Sequence, residues 1–204
     1  MRKIVLASAS PRRREILQKL GLEFRVLVAD VDESSDERDP AKLCSMLARR
    51  KGEAAVAKLR ESGELDAETL VIASDTIVAL ETDGEWQIFG KPADEADARG
   101  MLERLSGGSH FVYSGIYLWY AGRGVASFDR TEVVFKAISG KEIEDYIASG
   151  EPFGKAGAYA IQGLAAAFIS GFRGDYYTVV GLPVQEMRRL YAGAFPGAEP
   201  LIKD

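Results

Sequence analysis

The chain has 204 residues, 47% of them hydrophobic and 28% charged, which suits one globular domain over residues 1–204 that buries its core without covalent staples. A single cysteine, Cys44, excludes an internal disulfide and points to a reducing compartment; one cysteine with one histidine, His110, excludes a four-ligand structural zinc site. The net charge of −5 argues against a nucleic-acid binder, and no apolar run nears the roughly 20 residues of a membrane span, so the expectation is a soluble cytoplasmic protein.

Residues 3–7 read as a short buried strand. Ser8-Ala9-Ser10-Pro11 then turns into a helix, with Ser10 as its N-cap, Pro11 at its first position and Gly21 as its stop. A second strand is expected over 24–28, then an acidic loop over 30–37. Asp39-Pro40 opens a long helix to about Ser62, on whose face Cys44 is a small packed residue. Residues 69–80 form a long apolar strand interrupted at its middle by Ser74-Asp75-Thr76. A short strand at 86–89 leads into Gly90-Lys91-Pro92, and a helix covers 94–105. Two longer strands lie near 110–120 and 124–137, with His110 read as a turn or strand-edge residue. A helix follows at 140–148, then a Gly- and Ala-rich stretch over 151–182 with loop and strand character. The last helix runs from Pro183 to near Tyr191, and the tail 196–200 is expected to be loose. Strands and helices alternate without a repeat, so the class is α/β with a mixed sheet.

Five segments carry chemistry. Arg12, Arg13 and Arg14 crowd the first turn of a helix, where the macrodipole disfavours cations by about 0.3–1 kcal/mol each. An anion relieves that cost, and arginine's planar fork fits phosphate oxygens; a solvated basic patch, or ion pairs to the acidic loop, is the alternative. Asp75 in an apolar strand is costly to bury unless it is paired or binds a metal, which makes it the best catalytic candidate. Glu33 with Asp75 would suffice for Mg²⁺, which takes one or two carboxylates plus substrate phosphates, although Asp30, Asp32, Asp36 and Glu37 compete. Lys91, held between Gly90 and Pro92, can place an ammonium on a phosphate. In Gly154–Gly163 three glycines allow close approach of backbone to a ligand, and the Gln162 amide can both donate to and accept from a base edge. No Walker A or Gly-x-Gly-x-x-Gly pattern is present, so any phosphate site is of another design.

Read together, Leu6-Ala-Ser-Ala-Ser-Pro-Arg-Arg13, Ala73-Ser-Asp-Thr76, Gly90-Lys-Pro92, Leu105-Ser-Gly107 with His110, Lys155-Ala-Gly-Ala-Tyr-Ala-Ile-Gln-Gly163 and Val179-Val-Gly-Leu-Pro183 resemble the Maf family of nucleotide pyrophosphatases, in family order over nearly the whole chain. The resemblance implies an elongated mixed sheet flanked by helices, in two lobes with a central cleft, similar to inosine-triphosphate pyrophosphatases. It implies hydrolysis of a nucleoside triphosphate to its monophosphate and pyrophosphate with a divalent ion, Mg²⁺ or Mn²⁺. Asp75 matches the family's proton acceptor. Arg13, Thr76 and Gln162 match positions linked to substrate choice in the branch acting on dTTP and UTP.

On that reading Glu33 and Asp75 hold the metal, while Ser8, Arg12, Arg13, Lys51, Lys91 and Lys155 hold the polyphosphate. A homodimer is compatible with the resemblance. The alternatives are a 7-methyl-GTP pyrophosphatase, a nucleotide-binding regulator of septum formation with little catalysis, and a phosphosugar hydrolase that needs no base reader. Three stretches depart from the family pattern: Ala73-Ser74 replace Gly-Ala before Asp75, Gly154 replaces an Asp, and Thr178 replaces an Asn.

Overall fold

The computed structural model describes residues 2–202. The first unit is parallel: β1 (Lys3–Leu6), helix α1 (Pro11–Lys19) and β2 (Phe24–Val26), after which helix α2 (Pro40–Glu61) crosses over to β3 (Thr69–Thr82) on the other side of β1. From there the sheet is antiparallel. An Asp83-Gly84 turn returns the chain as β4 (Glu85–Phe89), and helix α3 (Glu95–Leu105) leads to a hairpin of β5 (Ser109–Tyr120) and β6 (Arg123–Phe135). Helix α4 (Gly140–Ala148) starts on a capping box in which Ser139 and Glu142 satisfy each other's backbone N–H groups. Strand β7 (Ile169–Arg173) and helices α5 (Tyr176–Val180) and α6 (Val184–Ala194) follow. Among the described residues these form one seven-stranded mixed sheet in the order β2-β1-β3-β5-β6-β7, with β4 also on β3.

The fourteen residues of β3 extend roughly 45 Å, and that length organises the molecule. Its side chains alternate between the two faces of the sheet. Val71, Ala73, Ile77 and Ala79 pack under α2, against Leu43, Leu47, Ala48, Ala55, Val56 and Leu59. On the other face Leu70 and Ile72 belong to a core with α1 and α6, while Val78 belongs to a separate core with α3 and α4. Two groups of helices thus stand at opposite ends of the same face, and the cleft lies between them.

The edge of β3 is divided in the same way. Strand β1 pairs parallel with Lys3 to Leu6 opposite Thr69 to Ile72, and β4 pairs antiparallel from Val78 to Thr82. Both strands therefore run toward the middle of β3, and their C-terminal ends face each other. Between Ile72 and Val78 the edge has no partner strand. Ser74, Asp75 and Thr76 lie in that gap.

Four expectations are corrected. Ser10 occupies the N-cap position of α1, but its hydroxyl caps nothing. His110 is fully buried, because it shares a sheet face with Val112 and packs edge-on against Phe135 and Tyr159. The stretch 151–182 contains α5, where Asp175 accepts from the Tyr177 N–H and so caps a sequence whose β-branched and aromatic residues favour a strand. The tail is docked: Leu201 is buried, Ala198 packs on the α1/α6 core, and the Glu199 carbonyl accepts from Arg2 Nη2 at 2.6 Å.

Candidate active site

The C-terminal ends of β1 and β4 deliver two loops to the gap. After β1 come Ser8 and the start of α1; after β4 come Gly90 and Lys91. With the β2–α2 loop and residues 154–162 they enclose a cleft of about 650 Å³. Ser8, Arg12, Arg13, Glu33, Lys51, Asp75, Thr76, Lys91 and Gln162 all line it. Lys155 does not: its ammonium donates to the Glu151 carbonyl oxygen. Burial, and next the repulsion of Arg12, pull Lys155 below the ordinary lysine value.

Strand alternation puts the two chemical groups of the triplet on opposite faces. Asp75 points to the α2 side, where Lys51 Nζ donates to its Oδ1 at 2.5 Å. The same ammonium lies 2.9 Å from Glu33 Oε1. Asp75 is 7% exposed, so its charge is neutralised rather than hydrated. Lys51 can reach it because α2 lies close on the sheet. Asp75 pairs across the ladder with Gly115, and a Cβ on Gly115 would stand 2.2 Å from the Cys44 carbonyl oxygen. Cys44 itself is buried on that helix, and its burial raises the thiol pKa.

On the opposite face Thr76 meets Arg13. The guanidinium donates from Nη2 to Thr76 Oγ1 (3.0 Å), from Nη1 to Ser8 Oγ (3.0 Å) and from Nε to the Gly181 carbonyl (2.7 Å). Burial lowers the Arg13 pKa while the Asp75 charge opposes the fall. Three of its five N–H donors are used to fix the fork, and two remain for a ligand. Thr76 Oγ1 lies 2.9 Å from Ser114 Oγ, which donates to the Thr178 carbonyl, and Ser74 Oγ donates to the Gly181 carbonyl at 3.0 Å. Arg12 is held by the Val180 carbonyl at 3.3 Å.

The peptide carbonyls of Thr178, Val180 and Gly181 and the buried Ser114 hydroxyl are therefore the supports of the arginine and threonine side chains. Sequence reasoning missed these roles, because a backbone carbonyl has no residue signature; the only signal was the Val179-Val-Gly-Leu-Pro183 stretch. The uncapped first turn of α1 opens beside this cluster. Among the described residues no three His, Cys, Asp or Glu side chains gather into a metal cage, so any metal here would rest on at most two carboxylates plus its ligand. Lys91 and Gln162 have no side-chain partner among the described residues.

Comparison with solved structures finds the Staphylococcus aureus Ham1 protein, at 17% identity over 66% of this chain and 72% of that one, with a TM-score of 0.45. Curated relatives named dTTP/UTP pyrophosphatase are 46% identical in Pelotomaculum thermopropionicum, 47% in Desulforamulus reducens and 41% in Bacillus cereus. Each alignment covers 92–93% of this chain and 94% of the relative. The model of the family described as Maf-like protein matches residues 3–194, and with relatives this similar over almost their whole length the chain belongs to the Maf family.

Proposed function

We propose that this protein hydrolyses dTTP and UTP to their monophosphates and pyrophosphate, using a divalent cation. The observation that carries the reading is the divided cleft. A carboxylate pair meets on one face of β3 and a fixed arginine fork on the other, within a space that matches the size of small-ligand pockets. The substrate named for the curated relatives supports the choice of base. The net charge of −5 supports a free nucleotide rather than nucleic acid.

Asp75 and Glu33 suit a hard divalent cation. They already converge on one positive group, the Lys51 ammonium, and Mg²⁺ needs only one or two carboxylates beside substrate oxygens. When bound, such a cation offsets the charge that develops on the phosphates. The chain's own groups do the rest. Arg13, fixed by Ser8, Thr76 and Gly181, presents its two free N–H donors to the polyphosphate, with Arg12 and Lys91 beside it. Asp75 orients a water and takes its proton as the oxygen attacks the α-phosphorus, and the bond to the leaving pyrophosphate breaks. Lys51 balances the carboxylates. Gln162 offers its free amide to the pyrimidine edge. Lys155, whose ammonium donates to the Glu151 carbonyl outside the cleft lining, adds positive charge to the site from a distance.

We read the protein as working in the cytoplasm, as the single free cysteine suggests; among the described residues no helix is long and apolar enough to cross a membrane. A homodimer and a part in septum formation rest on the family resemblance alone.

The test is pyrophosphate release from dTTP, UTP, CTP, 7-methyl-GTP and the common purine triphosphates, with Mg²⁺, with Mn²⁺ and with EDTA. Metal-dependent release highest from dTTP and UTP is expected. Release mainly from 7-methyl-GTP would keep the chemistry and overturn the base assignment. Binding without release would favour a nucleotide-sensing regulator.

A further inference from the structure

Glu151 lies outside the cleft lining, at the end of α4, yet the segment that carries Gln162 converges on it. One carboxylate oxygen accepts the Leu164 N–H at 3.0 Å, and the other accepts the Ala165 N–H at 3.3 Å and the Tyr146 hydroxyl at 3.0 Å. The chain is therefore tied directly to this side chain just after Gln162. Only Gly163 lies between Gln162 and the first tie.

That short span has little freedom. Gly163 has φ +98, and a Cβ there would lie 2.6 Å from Glu151 Oε2, so the backbone crosses directly over the carboxylate. Ala158 and Tyr159 pack in the α3/α4 core while Ile161 packs in the α1/α6 core, so the segment bridges the two sides of the cleft. Burial raises the Glu151 pKa, but the two amide N–H groups and the tyrosine hydroxyl outweigh it and hold the carboxyl below its ordinary value. The ionised form, with acceptors only, is the one these donors require.

We propose that Glu151 is a positioning residue that fixes the direction of the Gln162 amide and thereby sets nucleotide-base selectivity, acting through the loop and never touching the substrate. This rests on the assignment of Gln162 as the base reader.

Glu151→Gln keeps the shape and replaces one acceptor oxygen with an NH₂ that confronts a backbone N–H. The expected result is a rise of about tenfold in KM for dTTP, the equivalent of one lost charge-assisted hydrogen bond, and a similar loss of preference for dTTP over CTP. The kcat should stay within about threefold, because Asp75 and Arg13 do not depend on this loop. A merely structural role would lower the melting temperature and leave KM and selectivity unmoved. In a Gln162→Ala background, Glu151→Gln should add nothing to KM; additive effects, or unchanged KM and selectivity in the single variant, would overturn the proposal. Tyr146→Phe, which removes only the hydroxyl, is the second variant if the first folds poorly, with a smaller KM rise of about threefold expected because both backbone N–H ties to the carboxylate remain. If the wild-type protein releases no pyrophosphate from any triphosphate, the proposed function fails on its own account. Calorimetric binding of dTTP and CTP to the same variants then decides the role of Glu151.

Discussion

Replacing Asp75 with Asn separates charge from shape at the centre of the site. In the wild-type protein the carboxylate is 7% exposed and shares the Lys51 ammonium with Glu33. Removing one partner of a buried pair costs about 3–5 kcal/mol when the other charge is stranded. Here Lys51 is not stranded, because Glu33 stays 2.9 Å away with a side chain half exposed to water. The Asn amide also fills the carboxylate's volume. The structural cost therefore falls to about 1–2 kcal/mol, a melting shift of roughly 2–8 °C for a chain of this size. Native proteins hold roughly 5–15 kcal/mol in reserve, so the variant stays folded at 25 °C.

Activity should respond far more strongly. A positioned base contributes about 10²- to 10⁴-fold, or about 3–5 kcal/mol of barrier. Steady-state pyrophosphate release at saturating dTTP, beside a thermal melt of the same sample, separates the two effects. Turnover within about threefold of wild type in a folded Asp75→Asn protein would refute the assignment of Asp75 as proton acceptor. A melting loss far beyond roughly 8 °C would refute the claim that Glu33 keeps Lys51 compensated.

Two further outcomes follow from the packing around the site. Gly115→Ala places a methyl group 2.2 Å from the Cys44 carbonyl oxygen and 2.8 Å from the Ser45 nitrogen, which pushes α2 off the sheet. A loss of about 1–3 kcal/mol is expected, seen as a melting temperature lower by roughly 2–12 °C, with a fall in kcat as Lys51 is carried away from Asp75; an unchanged melt would contradict the contact. His110 is buried with Nε2 2.8 Å from the Tyr159 hydroxyl and Nδ1 unpartnered, and burial lowers its pKa to about 4. The unfolded chain, with a histidine pKa near 6.5, takes up the proton first, so the stability tied to the neutral ring is complete above about pH 6.5 and is lost as the pH falls toward 4. That amounts to about 2 kcal/mol between pH 7.5 and pH 5, and denaturant melts of His110→Gln should lack this part of the acid limb; parallel limbs in the two proteins would refute it.

Much of this fold is legible in the sequence, because hydrophobic period and turn residues act locally. The β1-α1 turn at Ser8–Pro11, the Asp39-Pro40 start of α2 and the Ser74-Asp75-Thr76 triplet in the middle of the long strand β3 all stand where their residues indicate. The His110 and tail readings miss for one cause: partners distant in sequence. His110 looks like a turn residue until Tyr159 is placed beside it. The tail looks loose until Arg2 and the α1/α6 core are brought to it. Lys155 is expected on the phosphates; its ammonium donates to the Glu151 carbonyl, four residues before it. The Arg12-Arg13-Arg14 cluster read as an anion site, and the structure separates its members: Arg13 is fixed in the cleft, Arg12 lines it, and Arg14 turns back to the Ala9 carbonyl at 3.2 Å.

The gap in the sheet explains why these residues can work together. In an unbroken sheet, adjacent residues of one strand face opposite sides and cannot serve one ligand. Asp75 and Thr76 are such neighbours, one under α2 and one under α1. Because β1 and β4 both end at this point on β3, the edge between Ile72 and Val78 is open and both side chains border the same cleft. A ligand in the gap can therefore meet the carboxylates from one face and the arginine fork from the other. The backbone groups of β3 that turn toward that edge have no partner strand, so water or a ligand must satisfy them. Stability and function thus compete at this edge. A longer β1 or β4 would close the ladder, add hydrogen bonds and remove the site, which is why the strands that flank the gap are only four and five residues long beside a neighbour of fourteen.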